Sequence, residues 1–429
     1  MTATAPRYMT RFRCLAADCE DTCCAGLVVP VSRTRWRLLR DTVARGPDAA
    51  RVEALVLPNP DSASDDDVAY VAKGDDGHCA FLDPRRLCSL HHQHGEAVLP
   101  DACALFPRAV TRRESRLEVA GSFGCPEVVR LCLLSEDALA LDAVAPELAV
   151  RPELARELGG ADAEEGWTRH AERVRGLALR ILQRREHPFG ARLFMLGQLA
   201  QRLEGFYFRG TESFRGEARE GAEARLDEVL LPFDVPEVLA ALGTGFRSVS
   251  LPGGPWAGIC AAALDARLGA VRSPRFLALA EAVRASYGGA EAAPDARWTH
   301  YVARRERLEP ALGERLEQYA RHHAVNHWLR HPFTDAPSVM DYVFKLALRA
   351  AVARWLLLGH PEVVALCERE DLLASPDARA RLDAAAVECF QLGAKHLEQA
   401  PELHALARGL MGDGGPETPW RLLVLLTGL

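Results

Sequence analysis

Cys14-Leu15-Ala16-Ala17-Asp18-Cys19-Glu20-Asp21-Thr22-Cys23-Cys24-Ala25-Gly26 is the stretch from which the architecture of the N-terminal third is read. The thiolate is the side-chain group that holds soft metal ions and iron–sulfur clusters, and four of them fall in this one short segment. Working outward, the series continues with Cys79, Cys88, Cys103 and Cys125, while Cys132, Cys260, Cys367 and Cys389 have no such grouping. Two thiolates a few residues apart in a turn can converge on one centre. The neighbours Cys23 and Cys24 instead tend to diverge, so one of them is free to serve a second centre or a different iron of the same cluster. The spacing Cys79-x8-Cys88-x14-Cys103 is too wide for a zinc knuckle and predicts closure after chain reversal. Gly124-Cys125-Pro126 places proline directly after a cysteine, as in bacterial ferredoxin-type runs. A radical-type Cys-x3-Cys-x2-Cys motif is absent, because Gly26 occupies its third position. A structural zinc site with spare buried thiols is the simpler alternative to a cluster. His78, His91, His92 and His94 are further candidate ligands or bases, or merely solvated loop histidines.

The chain has 429 residues, enough for two or three domains whose cores do not depend on disulfides. The start, MTATAPRYMTRFRC, carries arginines but no apolar export segment, and no long apolar run follows. A soluble protein of the cytoplasm is expected, with no membrane partner. In that reducing compartment spaced cysteines are ligands rather than bridges. A net charge of −7, with 52 Lys+Arg mixed among 59 Asp+Glu, argues against a polyanion-binding surface, and nucleic acid is not expected as a partner.

The fold class expected is mainly α: an irregular, cysteine-rich, metal-binding N-terminal domain with short strands over 1–135, then a helical region over 136–429. Leu27-Val28-Val29 and Val68 to Val71 read as brief strands, and Leu57 to Asp67 (LPNPDSASDDD) reads as an exposed loop. After Ser135 the apolar residues recur at helical spacing, as at Leu193, Leu196, Leu199 and Leu203. Breaks are predicted at His187–Gly190, Leu251–Pro255, Gly288-Gly289 and Gly412–Pro416. No G-x-G-x-x-G occurs, which disfavours a Rossmann-type cofactor domain.

Four blocks carry a resemblance. They are Asp18–Gly26, then Cys79-Ala80-Phe81-Leu82-Asp83 with Leu87-Cys88-Ser89-Leu90-His91, then Cys103-Ala104-Leu105-Phe106-Pro107-Arg108, then Cys125-Pro126-Glu127 with Arg130. In this order they resemble the FliB-type flagellin lysine-N-methylases, within the wider CxxCxxCC group of metal-chelating proteins, although the first block has wider gaps than that name. Tyr319–Phe333, Met340–Gly359 and Lys395-His396-Leu397-Glu398 are similar to helices in the family's C-terminal part. The resemblance implies methyl transfer from S-adenosylmethionine to lysine amines of a protein, flagellin or another lysine-bearing substrate, by an enzyme with an iron–sulfur cluster, of 4Fe-4S type. It gives the ligand role to Cys14, Cys19, Cys23, Cys24, Cys79, Cys88, Cys103 and Cys125.

Tyr319, His323, Asn326 and Arg330 share one helix face at i, i+4, i+7 and i+11. They are candidate catalytic groups, with Arg330 a candidate cofactor contact; a polar face between helices is the plainer alternative. Arg108 is a second candidate to fork onto a cofactor carboxylate, or else pairs with a surface acid. His396 and Glu398 are weaker candidates, Glu127 complements a helix dipole, and Trp36, Trp328 and Trp355 are core or interface aromatics. The reading that competes with a methylase is a non-catalytic Fe- or Zn-binding protein with a helical interaction domain. A cofactor-sized cleft between the cysteine region and the helices separates the two.

Overall fold

The computed structural model describes residues 2–44, 46, 48–159, 166–207, 219–412 and 417–429. The chain is mainly helical, as expected, with short strands in its N-terminal region. The first strand, β1 (Thr2–Pro6), buries Ala3 and Ala5 and turns Thr2 outward, the two-residue period of a half-buried strand. A small sheet follows from β2 (Pro30–Val31), β3 (Val56–Pro58) and β4 (Ala69–Val71), in the order β2-β4-β3. β4 lies where Val68 to Val71 was expected; Leu27–Val29 is not a strand, the pairing beginning only at Pro30, and β3 at Val56–Pro58 overlaps the stretch from Leu57 that was read as a loop. A hairpin of β5 (Arg108–Arg113) and β6 (Arg116–Gly121) is closed at Arg113↔Arg116, with Glu114 at φ +53° in the turn. With β7 (Leu141–Val144) and β8 (Arg156–Glu157) they form a five-stranded sheet, β7-β1-β6-β5-β8, in which β1 runs parallel to β6 and antiparallel to β7. This sheet was not anticipated, because its middle strand β1 pairs with residues more than a hundred positions away in β6 and β7.

Burial falls into two cores. The smaller one gathers Val29, Val31, Leu39, Val52, Val71, Phe81 and Leu90, with Cys79 and Cys88 packed against its edge. The larger one runs from Ala3 and Tyr8 through the β5–β6 hairpin into the helical scaffold. Its centre is the Val339–Gly359 helix, buried on nearly every face, as expected of a core element apolar all round. Beside it lies the Pro294–Arg330 helix, 37 residues and about 55 Å long. Trp328 and Trp355 are buried as predicted, while Trp36 is only partly buried beside the smaller core. The breaks at His187–Gly190, Leu251–Pro255 and Gly288-Gly289 separate successive helices, and both glycines of the last take positive φ. Residues 413–416 of the Gly412–Pro416 break lie outside the described residues. Among the described residues, no single helix is long and apolar enough to cross a membrane.

One junction sets the geometry of the site. The helix Pro126–Leu134 begins at Cys125, and its last carbonyls, which no helical N–H can reach, are taken up by the long helix. Gln318 Nε2 donates to Leu133 O at 2.9 Å, Arg315 Nη1 to Leu134 O at 3.1 Å, and His322 Nδ1 to Cys132 O at 2.6 Å. Cys125 is thereby held at a fixed place on the scaffold.

Candidate metal centre and adjoining cleft

All 12 cysteines are free thiols. Those of the N-terminal series lie at turns and helix starts, where backbone N–H groups lack partners. Cys14 Sγ accepts from Ala16 N–H at 3.4 Å. At Cys19 the backbone N–H of Asp21, at Cys79 that of Phe81, at Cys88 those of Leu90 and His91, and at Cys125 those of Glu127 and Val128 act to favour the thiolate. Hydrogen bonds of this kind stabilise and tune a sulfur that carries negative charge. Burial nonetheless pushes the thiols of Cys103 and Cys125 up to about 12, and raises Cys19, Cys79 and Cys88 in the same sense. Without a cation these thiols keep their protons; a bound metal is the partner that makes them thiolates. Cys24 is displaced downward, first by the Cys23 thiol that donates to it and then by Thr22, Lys73 and His78. Thiols are the donor type that suits a soft metal or cluster, but among the described residues no cysteine belongs to a group of side chains close enough together to hold one metal ion.

The loop between Cys19 and Cys23 is gripped from the helical scaffold. Gln391 Nε2 donates to Asp21 Oδ2 at 2.7 Å and to Gly124 O at 3.1 Å, and Lys395 Nζ lies 2.8 Å from Asp21 Oδ1. Both side chains come from the helix Ala378–His396, four residues apart on one face. Asp21 and Gln391 were missed as structural partners; the only sequence signal was the late polar cluster that includes Lys395.

A cleft of about 450 Å³ opens where the cysteine region meets this helix. Glu20 and Pro126, next to Cys19 and Cys125, line one side, and Asp383, Val387 and Glu388 the other. Its volume lies within the range of small-molecule sites. Arg130 joins Glu20 at 2.5 Å and also Glu127, while Arg275 spans the cleft from Glu20 O to Glu388 Oε1, 3.0 Å each. A larger cleft of about 620 Å³, rich in arginine and glutamate, lies near Arg185, Arg192 and Arg321, and none of the eight N-terminal cysteines lines it.

The helical stripe meets the N-terminal region through Asn326 and His323 and the later helical part through Tyr319, His323 and Arg330. Asn326 Nδ2 donates to Gly121 O at 3.0 Å, and its Oδ1 accepts from Tyr8, whose hydroxyl takes Gly121 N–H at 2.6 Å. Tyr319 donates to Asp383. His323 lies half-buried between Phe123 and Phe390, ring centroids 5.7 and 5.3 Å away, with its buried Nδ1 lacking a hydrogen-bond partner; desolvation lowers its pKa to about 4. Arg330 pairs with Glu398 at 3.0 Å. Arg108 lies with its guanidinium carbon 5.9 Å from the centre of the Phe12 ring, its buried Nε unpartnered.

Among the described residues, His327, His331 and Glu398 bring three potential ligand atoms within 4.8 Å of one another. Arg330 and Arg349 also stand against Glu398, at 3.0 and 4.0 Å, and two guanidinium groups oppose a metal cation there. This is a buried ion-pair cluster. His94 pairs with Asp48 at 3.1 Å and His78 with Asp76 at 3.0 Å, whereas His91 and His92 are exposed. His396 lies under the cysteine loop, where a Cβ on Gly26 would come 3.6 Å from its Cε1.

No protein-family model matches the chain. No solved structure matches it either. Curated relatives do. A lysine-N-methylase of Salmonella typhimurium is 31% identical over 144 residues, 33% of this chain and 35% of that protein. The lysine-N-methylase of Salmonella choleraesuis is 30% identical over the same shares. The flagellar biosynthetic protein FliU of Salmonella muenchen is 29% identical over 144 residues, 82% of its length. The match spans about a third of the length of the two methylases. At the family level, the resemblance carried by the cysteine blocks is to the lysine-N-methylases and FliU.

Proposed function

We propose that this chain transfers a methyl group from S-adenosylmethionine to lysine side chains of a protein, flagellin or a flagellin-like substrate, and carries an iron–sulfur cluster on its N-terminal thiols. The observation that carries this reading is the likeness to curated lysine-N-methylases. The free, N–H-supported thiols beside a cleft of cofactor size support it. The cysteines from Cys14 to Cys125 would hold the cluster, which when bound supplies Lewis-acidic, redox-active iron. Free thiols and such a cluster suit a reducing cytoplasm.

Lysine has an unperturbed pKa of about 10.4, so its amine must lose a proton before its lone pair can attack carbon. Walls of Pro126, Leu134 and Val387 disfavour the charged ammonium, and Glu20, Asp383 and Glu388 are carboxylates placed to take the proton. The lysine nitrogen then bonds to the methyl carbon as that carbon's bond to the sulfonium sulfur breaks, and the neutral thioether leaves. Arg275 and Arg130 are the cleft cations that would take the cofactor's carboxylate, in exchange for their pairs with Glu388 and with Glu20 and Glu127.

The test is incubation of anaerobically purified protein with methyl-labelled S-adenosylmethionine and flagellin. Label on lysine is expected. A metal-loaded protein that neither binds S-adenosylmethionine nor labels lysine would be the non-catalytic metal-binding protein instead.

A further inference from the structure

A charged side chain taken out of water is costly, so buried arginines are as a rule paired with an acid. Arg321 departs from this rule. It is only 8% exposed in the wall of the cleft of about 620 Å³, and among the described residues no carboxylate stands within ion-pair distance of it. Its polar contact is Nη2 to His322 Nε2 at 3.2 Å. The far side of that ring fixes the direction: a carbonyl only accepts, so His322 Nδ1 carries the proton given to Cys132 O at 2.6 Å, and Nε2 accepts from Arg321. Burial keeps this imidazole neutral at pH 7, so it supplies no counter-charge. The remaining N–H groups of Arg321 have no protein partner and open on the cleft.

The other charges around the cleft do not cancel it. Arg315 forks onto Asp383 at 2.7 and 2.8 Å. Arg192 is taken by Glu317 and Leu182 O, and its Nε is buried with no partner. Glu317 also accepts Phe189 N–H at 3.1 Å, and Glu186 lies 3.3 Å from Arg184. Glu136 and Glu314 remain, both exposed and therefore solvated, facing Arg185 and Arg379, which are exposed as well. Arg379 stands in the first turn of the helix Ala378–His396, whose amino end carries partial positive charge. Where water is least available, the uncompensated charge is cationic.

We infer that this second cleft is a binding site for a small molecule bearing an oxyanion, a phosphate or a carboxylate, seated on the guanidinium of Arg321 with Arg185 and Arg379 at its rim. The planar fork of arginine matches the paired oxygens of either group. The cleft has the volume of a small-molecule site and accommodates more than a bare ion. It is distinct from the cleft proposed for S-adenosylmethionine, because the Arg315–Asp383 pair stands between them, Arg315 lining one and Asp383 the other. The inference depends neither on methyl transfer nor on metal.

The test is calorimetric titration of the full chain with inorganic phosphate, pyrophosphate and succinate at constant ionic strength, with urea unfolding in parallel. Wild type should bind at least one of them and be stabilised by it beyond the effect of chloride, and the tighter probe tells phosphate from carboxylate. Arg321→Gln should lose about tenfold in affinity, the worth of a modest charge-assisted contact, with Arg321→Lys in between. Without the anion, Arg321→Gln should be at least as stable as wild type, since it removes an unpaired charge. A less stable Arg321→Gln would make Arg321 a structural residue and overturn the inference. Arg185→Ala/Arg379→Ala, at exposed positions, tests the rim without risk to the fold and should weaken binding several-fold. Arg275→Ala, in the first cleft, should bind the probes as wild type does. Failure of wild type to bind any probe, full affinity in both Arg321→Gln and the rim variant, or loss of binding in Arg275→Ala each overturns the assignment.

Discussion

Lys395 holds Asp21: its Nζ lies 2.8 Å from the carboxylate, across 374 residues of sequence, with the lysine side chain almost wholly buried. The contact makes the Cys19–Cys23 loop part of the helical scaffold. Removing one partner of a buried pair leaves an uncompensated charge, so Lys395→Ala should cost about 3 kcal/mol in urea unfolding. It should also lower metal retention by freeing the loop. Asp21→Asn with Lys395→Met should be less damaging than Lys395→Ala, because no lone charge remains. A Lys395→Ala protein as stable and as metal-rich as wild type would show that the loop holds itself.

Asn326 binds both Tyr8 and Gly121, and so fastens the end of β6 to the long helix. Asn326→Ala strips partners from a buried hydroxyl and a buried carbonyl, which costs about 2 kcal/mol. Thermal unfolding should show it as a lowered midpoint. Metal content should not change, and a selective loss of metal at unchanged stability would point instead to a role at the centre.

The helical stripe shows what periodicity reveals. Spacing alone put Tyr319, His323, Asn326 and Arg330 on one face, and the structure turns that face toward Phe123, Gly121 and Tyr8. What the face would meet was not legible, because its hydrogen-bond partners lie from 64 to 318 residues away and no local pattern encodes them. The same limit hid β1. Its Thr-Ala-Thr-Ala-Pro run has little apolar bulk, and it becomes a strand by pairing with Arg116–Glu118 and Leu141–Val144. The cysteine blocks were readable because ligand loops are local and their side-chain type is rare. Which of the thiols come together depends on chain reversal, which local spacing does not encode.

Four histidines, two buried and two half-buried, predict the acid limb of stability. Burial lowers His322, His323, His331 and His396 to about 4 in the folded chain, against about 6.5 when unfolded. Between these values the unfolded chain binds protons that the folded chain refuses. Stability therefore falls as pH falls from about 6.5 to about 4, by up to about 1.4 kcal/mol per pH unit for each histidine, and this contribution levels off below. Glu398, held well below the usual carboxylate range by Arg330, His327, His331 and Arg349 against the opposing effect of burial, adds the same sign beneath about pH 4.5. Urea unfolding at pH 7, 6 and 5 should show the slope, and His323→Gln should reduce it by one histidine's share. A flat profile would mean that water reaches these rings.

Arg275 is the residue on which the cleft reading is most exposed to test. Its two terminal nitrogens reach Glu20 O and Glu388, so it spans the boundary between the cysteine region and the helices at the cleft. If it also receives the carboxylate of S-adenosylmethionine, Arg275→Ala should weaken cofactor binding about tenfold, the 1.4 kcal/mol of a modest charge-assisted contact. Calorimetric titration of the metal-loaded protein measures this directly. Arg275→Lys keeps the charge but not the fork and should fall between the two. The metal content should stay at the wild-type level in both variants, since Arg275 touches no thiol. Unchanged cofactor affinity in Arg275→Ala would move the S-adenosylmethionine site out of this cleft.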